Sequence, residues 1–340
     1  MLLSRRAVTA GLLASSLLPA LPLAADTQRM PTRGFAIPGW ISADPLPPSN
    51  ETLMALRHKG FETVRLPIDF RDIGSDPLEP IEIALRMLSK AGFRTILDVH
   101  MGDASANEIT SAWQSLAPLL ADTDPDTVFA ELLNEPQFET SDWLSLRASI
   151  AAIVRHRAPK HVLLWGPARV QGIWELEHEP PLDDDNSIAV VHYYWPMGFT
   201  HQCETWMRSA YSRFQDLPFP ARYSDRPVQA LANTLEPSGR SILETEFKTN
   251  WTTAAIAEHF ATAAAWSRRH GIPLMLGEFG AARFCADAQS RATWTRAVRE
   301  AAEFNGIGWV YWEVDRGFGF VTDRARHNSF DEGVIDALLS

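Results

Sequence analysis

The sequence predicts a (β/α)8 barrel, and three observations carry that expectation. Eight short β-rich runs recur along the chain, at residues 34–40, 63–68, 94–100, 127–134, 161–166, 188–195, 273–279 and 308–314. Several are continuously apolar, as in parallel strands buried on both faces. Helical patterns fill the gaps, and a strand–helix unit repeated eight times closes a parallel sheet. The length of 340 residues holds one barrel of about 250 residues with long loops.

The first run ends in Ile37-Pro38-Gly39-Trp40. A doubly wound open sheet usually carries a glycine-rich phosphate loop there; this tetrapeptide cannot serve as one. Ser49 then caps a helix over residues 51–59, which stops at Gly60. The second run holds Val64-Arg65-Leu66-Pro67, followed by a helix at 79–91 ending before Gly92. The third holds Leu97-Asp98-Val99-His100, with a helix at 108–120 behind it. The fourth ends Asn134-Glu135-Pro136 and leads to a helix at 142–157. The fifth is residues 161–166, and the sixth holds His192-Tyr193-Tyr194-Trp195.

Residues 196–250 break the rhythm. This stretch of 55 residues is far longer than ordinary loops. It is rich in Pro, Arg and aromatics, with a short helix expected near 204–214. It reads as a barrel insertion walling a cleft, since it is too short and too poor in core residues to be a second domain. A helix at 253–270, stopped by Gly271, precedes the seventh run, Gly277-Glu278-Phe279-Gly280. A helix at 286–305, stopped by Gly306, precedes the eighth, Val310-Tyr311-Trp312-Glu313.

The first 25 residues read as an export signal. Ser4-Arg5-Arg6 opens it, an apolar stretch follows, and Ala24-Ala25 offers a cleavage site. The arginine pair is twin-arginine-like, with an ordinary Sec signal as the alternative. Pro19 and Pro22 interrupt a stretch already shorter than a membrane span of about 20 residues. The expectation is a periplasmic or secreted protein, with residues 26–340 as one catalytic domain and no stable membrane association. Formal charge is −11, and loss of Arg5 and Arg6 takes it to −13. That balance disfavours nucleic acid and suits a neutral ligand. Cys203 and Cys285 either form one bridge or stay free. Neither has metal-ligand spacing, so no metal or cofactor is expected.

In a (β/α)8 barrel the C-terminal strand ends converge on one face. Glu135 and Glu278 stand at two such ends. Two carboxyl groups facing each other are what glycoside hydrolysis requires. Asn-Glu-Pro, His-x-Tyr, Gly-Glu-Phe-Gly and a strand-eight tryptophan, in this order, resemble glycoside hydrolase family 5 over about residues 33–320. That family includes many cellulases and mannanases. The resemblance implies Glu135 as acid/base and Glu278 as nucleophile. It implies sugar-binding or supporting roles for Arg65, His100, Asn134, His192, Tyr194 and Trp312. It further implies a retaining endo-β-glycosidase, active as a monomer on a β-1,4-glucan polysaccharide or oligosaccharide. β-Mannan, xyloglucan or β-1,3-glucan are the alternatives. The short proline-rich segment after the first strand and the long insertion bear on substrate rather than chemistry.

Plainer readings stand beside these. Arg65 suits a barrel ion pair with Glu131 as well as a contact to Glu278. His100 and His192 suit satisfied core histidines, and Asp98 suits a partner for His100. Trp40 and Trp195, at strand ends, are further candidates for sugar contact. Trp113, Trp143, Trp266 and Trp294 fall in helices and suit packing. A sugar-binding barrel without turnover predicts a lost carboxylate, and both are present.

Overall fold

The computed structural model describes residues 30–74, 77–207, 210–323, 326 and 329–340. The expected export signal lies outside them. Eight parallel strands close in chain order: β1 (Gly34–Ala36), β2 (Thr63–Ile68), β3 (Arg94–Val99), β4 (Val128–Glu131), β5 (Leu163–Trp165), β6 (Ser187–His192), β7 (Leu274–Glu278) and β8 (Gly308–Tyr311). β8 pairs back onto β1, so no edge remains exposed. All eight expected runs are strands.

Five helices follow the sequence pattern closely: α1 (Asn50–Lys59), α2 (Leu78–Lys90), α3 (Ala106–Ala121), α4 (Thr140–Arg157) and, after the insertion, α8 (Thr253–His270). Ser49 caps α1 as expected, accepting from the Thr52 N–H. α3 starts two residues earlier than expected, because Ser105 and Glu108 form a reciprocal capping box. α9 (Ala288–Phe304) matches the pattern at 286–305. Gly60, Gly92, Gly271 and Gly306 all take positive φ at helix ends.

Two helical expectations need correction. The strand–helix unit is not repeated eight times: between β5 and β6 the chain makes only a 3-10 turn at Glu175–His178. Among the described residues near 204–214, where a helix was expected, there is a 3-10 turn at Tyr211–Arg213. The insertion instead carries α5 (Met197–Thr200), α6 (Arg226–Ala232) and α7 (Pro237–Phe247). α6 and α7 open with proline in their first turn, where the missing N–H costs nothing. After β8 stands α10 (Glu332–Leu339), capped by Asp331, for which the sequence reading offered no element.

β4 also ends sooner than its apolar run suggests. Past Glu131 the backbone alternates neighbours: the Leu132 N–H donates to Leu164 on β5, and the Asn134 N–H to Val99 on β3. Glu135 therefore sits in a turn beyond the strand, at φ 44°.

Two apolar bodies fill the fold. The larger lies between the strands and the helices. The smaller includes Ala36, Ile96, Phe129, Leu164, Val190, Met275 and Val310, drawn from β1 and β3–β8. Two residues further along their strands stand Asp98, Glu131, His192, Gly277 and Trp312. Side chains alternate along a strand, so these occupy the next layer on the same face. The barrel thus has an apolar floor beneath a polar layer at its mouth.

Cys203 and Cys285 form a disulfide with Cα atoms 6.1 Å apart. It ties the insertion to the loop following β7. Among the described residues, no helix is long and apolar enough to cross a membrane.

Candidate active site

Arg65 organises the polar layer. On β2 it registers against Ala36 and Ile96, and its fully buried side chain reaches the charged groups above. Its Nε donates to Glu131 Oε2 at 2.6 Å and its Nη1 to Glu278 Oε1 at 2.6 Å. Nη2 reaches Asp98 Oδ2 at 3.0 Å, Glu131 Oε1 at 3.0 Å and Asn134 Oδ1 at 2.9 Å. Both sequence readings of Arg65 therefore hold together. One guanidinium faces three carboxylates, which leaves an excess of negative charge in a water-poor layer.

That excess acts on the two histidines. Burial alone would lower the pKa of His192, but Glu278 and Glu135 beside it outweigh burial and raise it. His100 behaves likewise: burial lowers it, but Asp98, 2.8 Å from Nδ1, outweighs burial and raises it. For Glu278, burial pushes upward, yet His192 and Arg65 hold its carboxyl below the ordinary value. Tyr194 Oη donates to Glu278 Oε2 at 2.8 Å. Both Glu278 oxygens thus accept a short hydrogen bond, the arrangement that keeps a buried carboxylate ionised.

His192 lies between the two glutamates. Its Nδ1 is 2.9 Å from Glu135 Oε1 and 3.6 Å from Glu278 Oε2. Gly277 makes room for this ring, since a Cβ there would sit 2.4 Å from Val190 Cγ1 and 3.2 Å from His192 Nε2. Oxygen atoms of Glu135 and Glu278 and a ring nitrogen of His192 all fall within 4.8 Å of one another. These three atoms are the one group among the described residues spaced to hold a cation. Arg65 and Tyr194 already engage both Glu278 oxygens there.

All eight residues singled out in the sequence meet at this mouth. His100 stacks on Trp312, with centroids 5.6 Å apart and planes 8° from parallel. Asn134 Nδ2 lies 3.4 Å from His100 Nε2. The tryptophans divide less simply. Trp40 is 3% exposed and has no free face to offer a sugar. Trp195 is half-buried and stacks on Trp251 at 6.2 Å. Trp113, Trp143, Trp266 and Trp294 are buried as expected. Two of them brace the strand ends from the helix layer: Trp113 Nε1 donates to the Leu132 carbonyl at 2.7 Å, and Trp143 Nε1 to that of Gly166 at 2.9 Å.

The sequence reading passed over three groups near the mouth. His201 is pushed down to about 3 by burial and packs edge-on against Tyr194 at 5.1 Å. Glu313 follows Trp312 and is 4% exposed; burial pushes its carboxyl up to about 7. Gln171 touches the Glu135 backbone. His201 and Gln171 lie away from the strand ends, which is where the search for chemistry looked; Glu313 stands near the end of the eighth run but was given no role beside Trp312.

An eight-stranded closed barrel whose mouth gathers two close carboxyl groups, one held ionised, is a glycoside hydrolase in its architecture. The comparisons with known proteins agree. The chain belongs to glycosyl hydrolase family 5: the cellulase family model matches residues 23–317. It is 27% identical over 303 residues to endoglucanase 3 of Fibrobacter succinogenes, spanning 78% of this chain and 46% of that one. It is 23% identical over 297 residues to endoglucanase C of Acetivibrio thermocellus, spanning 78% and 84%. Among solved structures, endoglucanase Cel5A of Thermotoga maritima superposes with TM-score 0.75 at 24% identity, covering 92% of this chain and 98% of that chain. Cellulose synthase subunit Z of Clostridioides difficile superposes with TM-score 0.75 at 22% identity, covering 92% and 100%. These structural likenesses speak to fold.

Proposed function

We propose that the protein is an exported, retaining endo-β-1,4-glucanase. The observation that carries this reading is the spacing of the two glutamates, whose oxygens approach within 4.8 Å. Retaining enzymes hold their carboxyl groups about 5–5.5 Å apart, whereas inverting ones need about 6.5–9.5 Å to admit a water. In this reading Glu278, kept ionised by Arg65 and Tyr194, attacks the anomeric carbon. Glu135 delivers a proton to the departing glycosidic oxygen. A glycosyl ester on Glu278 results, and the leaving sugar departs as an alcohol. Glu135, now a carboxylate, takes a proton from water as that water attacks the same carbon. The ester breaks, Glu278 leaves as carboxylate, and both residues return to their starting forms. Two inversions give net retention. Asn134, Arg65-bound at its oxygen, has an amide nitrogen that lies 3.4 Å from His100 Nε2 and can turn an N–H to the sugar 2-hydroxyl. Trp312, half-buried at the mouth, is the candidate platform for the ring.

The experiment is proton NMR of the product released from cellotetraose at early times. The β-anomer is expected first; first appearance of the α-anomer would end the retaining reading. Substrate identity is tested on a panel of soluble glucans and mannans. The endoglucanases among the relatives support β-1,4-glucan, and mannan cleavage without glucan cleavage would replace it. Export predicts a mature protein lacking Met1 in the periplasm or medium. An intact N-terminus in the purified exported protein contradicts it.

A further inference from the structure

Gln171 lies on the connection between β5 and β6 and is fully buried. Its side-chain Oε1 accepts the Glu135 N–H at 2.6 Å. Its Nε2 donates to Glu131 Oε1 at 3.5 Å. Its own carbonyl accepts the His192 N–H at 2.8 Å. Glu131 is in turn held by Arg65, whose other arm grips Glu278. One amide side chain thus completes a line of contacts from the backbone of one glutamate to the carboxylate of the other.

The backbone around it is costly to maintain. Arg169, Val170 and Gln171 stand at φ 57°, 59° and 55°. Left-handed conformations disfavour all three residue types, and a β-branched valine most. Glu135, at the far end of the contact, is left-handed as well. Such strain persists only where the surroundings over-determine it, and it gathers at functional sites. The opposing wall is shaped to match: a Cβ on Gly166 would stand 2.1 Å from Gln171 Cγ. The Glu135 carboxyl needs this support. Glu278 is gripped by Arg65 and Tyr194. Glu135 is partly exposed, and His192 is the side chain that hydrogen-bonds its carboxyl among the described residues.

We propose that Gln171 is a positioning residue: its amide fixes the Glu135 backbone to the Glu131–Arg65–Glu278 network and so sets where the acid–base carboxyl stands. The inference rests on the glycosidase reading above and adds a residue to it. Loss of the tether misplaces the proton donor. The loss then falls on reactions that need protonation of the leaving oxygen and spares those that do not.

The test compares Gln171→Met, which keeps length without an amide, with wild type on two probes. On cellotetraose kcat is expected to fall at least tenfold with KM within threefold. On 2,4-dinitrophenyl cellobioside, whose leaving group needs no proton, kcat/KM is expected within threefold of wild type. Equal losses on both probes, or no loss on either, overturn the proposal. Gln171→Glu supplies a second readout should the methionine variant not fold. When protonated it mimics the amide; when ionised it repels Glu131. Its activity relative to wild type is expected to be higher at pH 5 than at pH 7, and a constant ratio counts against the tether. Glu135→Gln run in parallel separates the two levels. If it retains full cellotetraose activity, the glycosidase reading itself falls. If it shows the leaving-group dependence and Gln171→Met does not, only the role of Gln171 falls.

Discussion

Replacing Cys203 and Cys285 by serine removes the one covalent link between the insertion and the loop after Glu278. The two residues are 82 positions apart. The loop-closure relation, ΔS ≈ −2.1 − 1.5R ln n, gives about −15 cal/mol/K for a loop of that size, or about 4.5 kcal/mol at 25 °C. That is a large share of the roughly 5–15 kcal/mol that stabilises a folded domain. The bridge also holds contacts that cross the same gap. The Asp216 N–H donates to the Cys285 carbonyl, and the Ala282 N–H to that of Thr200. At about 2 °C per kcal/mol for a chain of this size, the double variant is expected to melt about 10 °C lower. Differential scanning calorimetry, with and without a reducing agent, measures this. Reductant should lower the wild-type midpoint to that of the variant and leave the variant unchanged. A midpoint within 2 °C of wild type in the double variant would refute the loop-entropy reasoning. It would mean that noncovalent packing alone fixes the insertion.

Three further outcomes are expected. Glu278→Ala should cut turnover of cellotetraose by about a thousandfold or more while circular dichroism stays native, since Arg65 keeps Asp98 and Glu131; activity above a tenth of wild type removes it as the nucleophile. Tyr194→Phe deletes one donor to an ionised oxygen, worth about 1.5–3 kcal/mol, while its ring stays packed on His201 and Phe318. The variant should lose about tenfold or more on the acid side of the pH–rate profile, with the acidic limb displaced to higher pH, because the charged form of Glu278 is less favoured; an unmoved limb contradicts this. Glu313 ionises near 7 when folded and near the ordinary 4.5 when unfolded. The native state binds the extra proton between those values, so this residue lowers stability as pH rises from about 4.5 to 7, by roughly 3 kcal/mol in all. Urea unfolding of Glu313→Gln should lack that part of the pH dependence, and identical slopes for variant and wild type over that window would exclude it.

What could be read in the sequence was decided by period and by outlier. An arginine, an aspartate and a glutamate inside otherwise apolar runs are conspicuous, so the pairing of Arg65 with Glu131 and of Asp98 with His100 was legible, although the shared layer they form was not. The strand ends were marked by the same logic. The end of β4 was not, because Leu132 and Leu133 remain apolar after the ladder changes partners; hydrophobicity reports burial, not which neighbour accepts the hydrogen bond. Trp40 misled for a related reason. Its place at a strand end suggested an open face, but the chain turns there and folds the indole into the core. Helices α6 and α7 carried the signal of proline in the first turn, hidden within a proline-rich segment that read as irregular. Gln171 carried no signal at all. Left-handed backbone is foretold by glycine or asparagine, and Arg-Val-Gln holds neither. Only tertiary contacts impose it, and they come from residues far away in sequence.

The apolar floor under the polar layer has a consequence for how the site responds to being filled. Ile96, Phe129, Met275 and Val310 are fully buried and form an apolar layer beneath the charges. The charged cluster therefore meets water at the rim, where Glu135 and Trp312 are partly exposed. A sugar ring settling there acts as the stopper of a flask. Screening by solvent falls on every pair inside at once, and the pull of Arg65 and His192 on the nearest carboxylates strengthens with no atom of the protein having to shift.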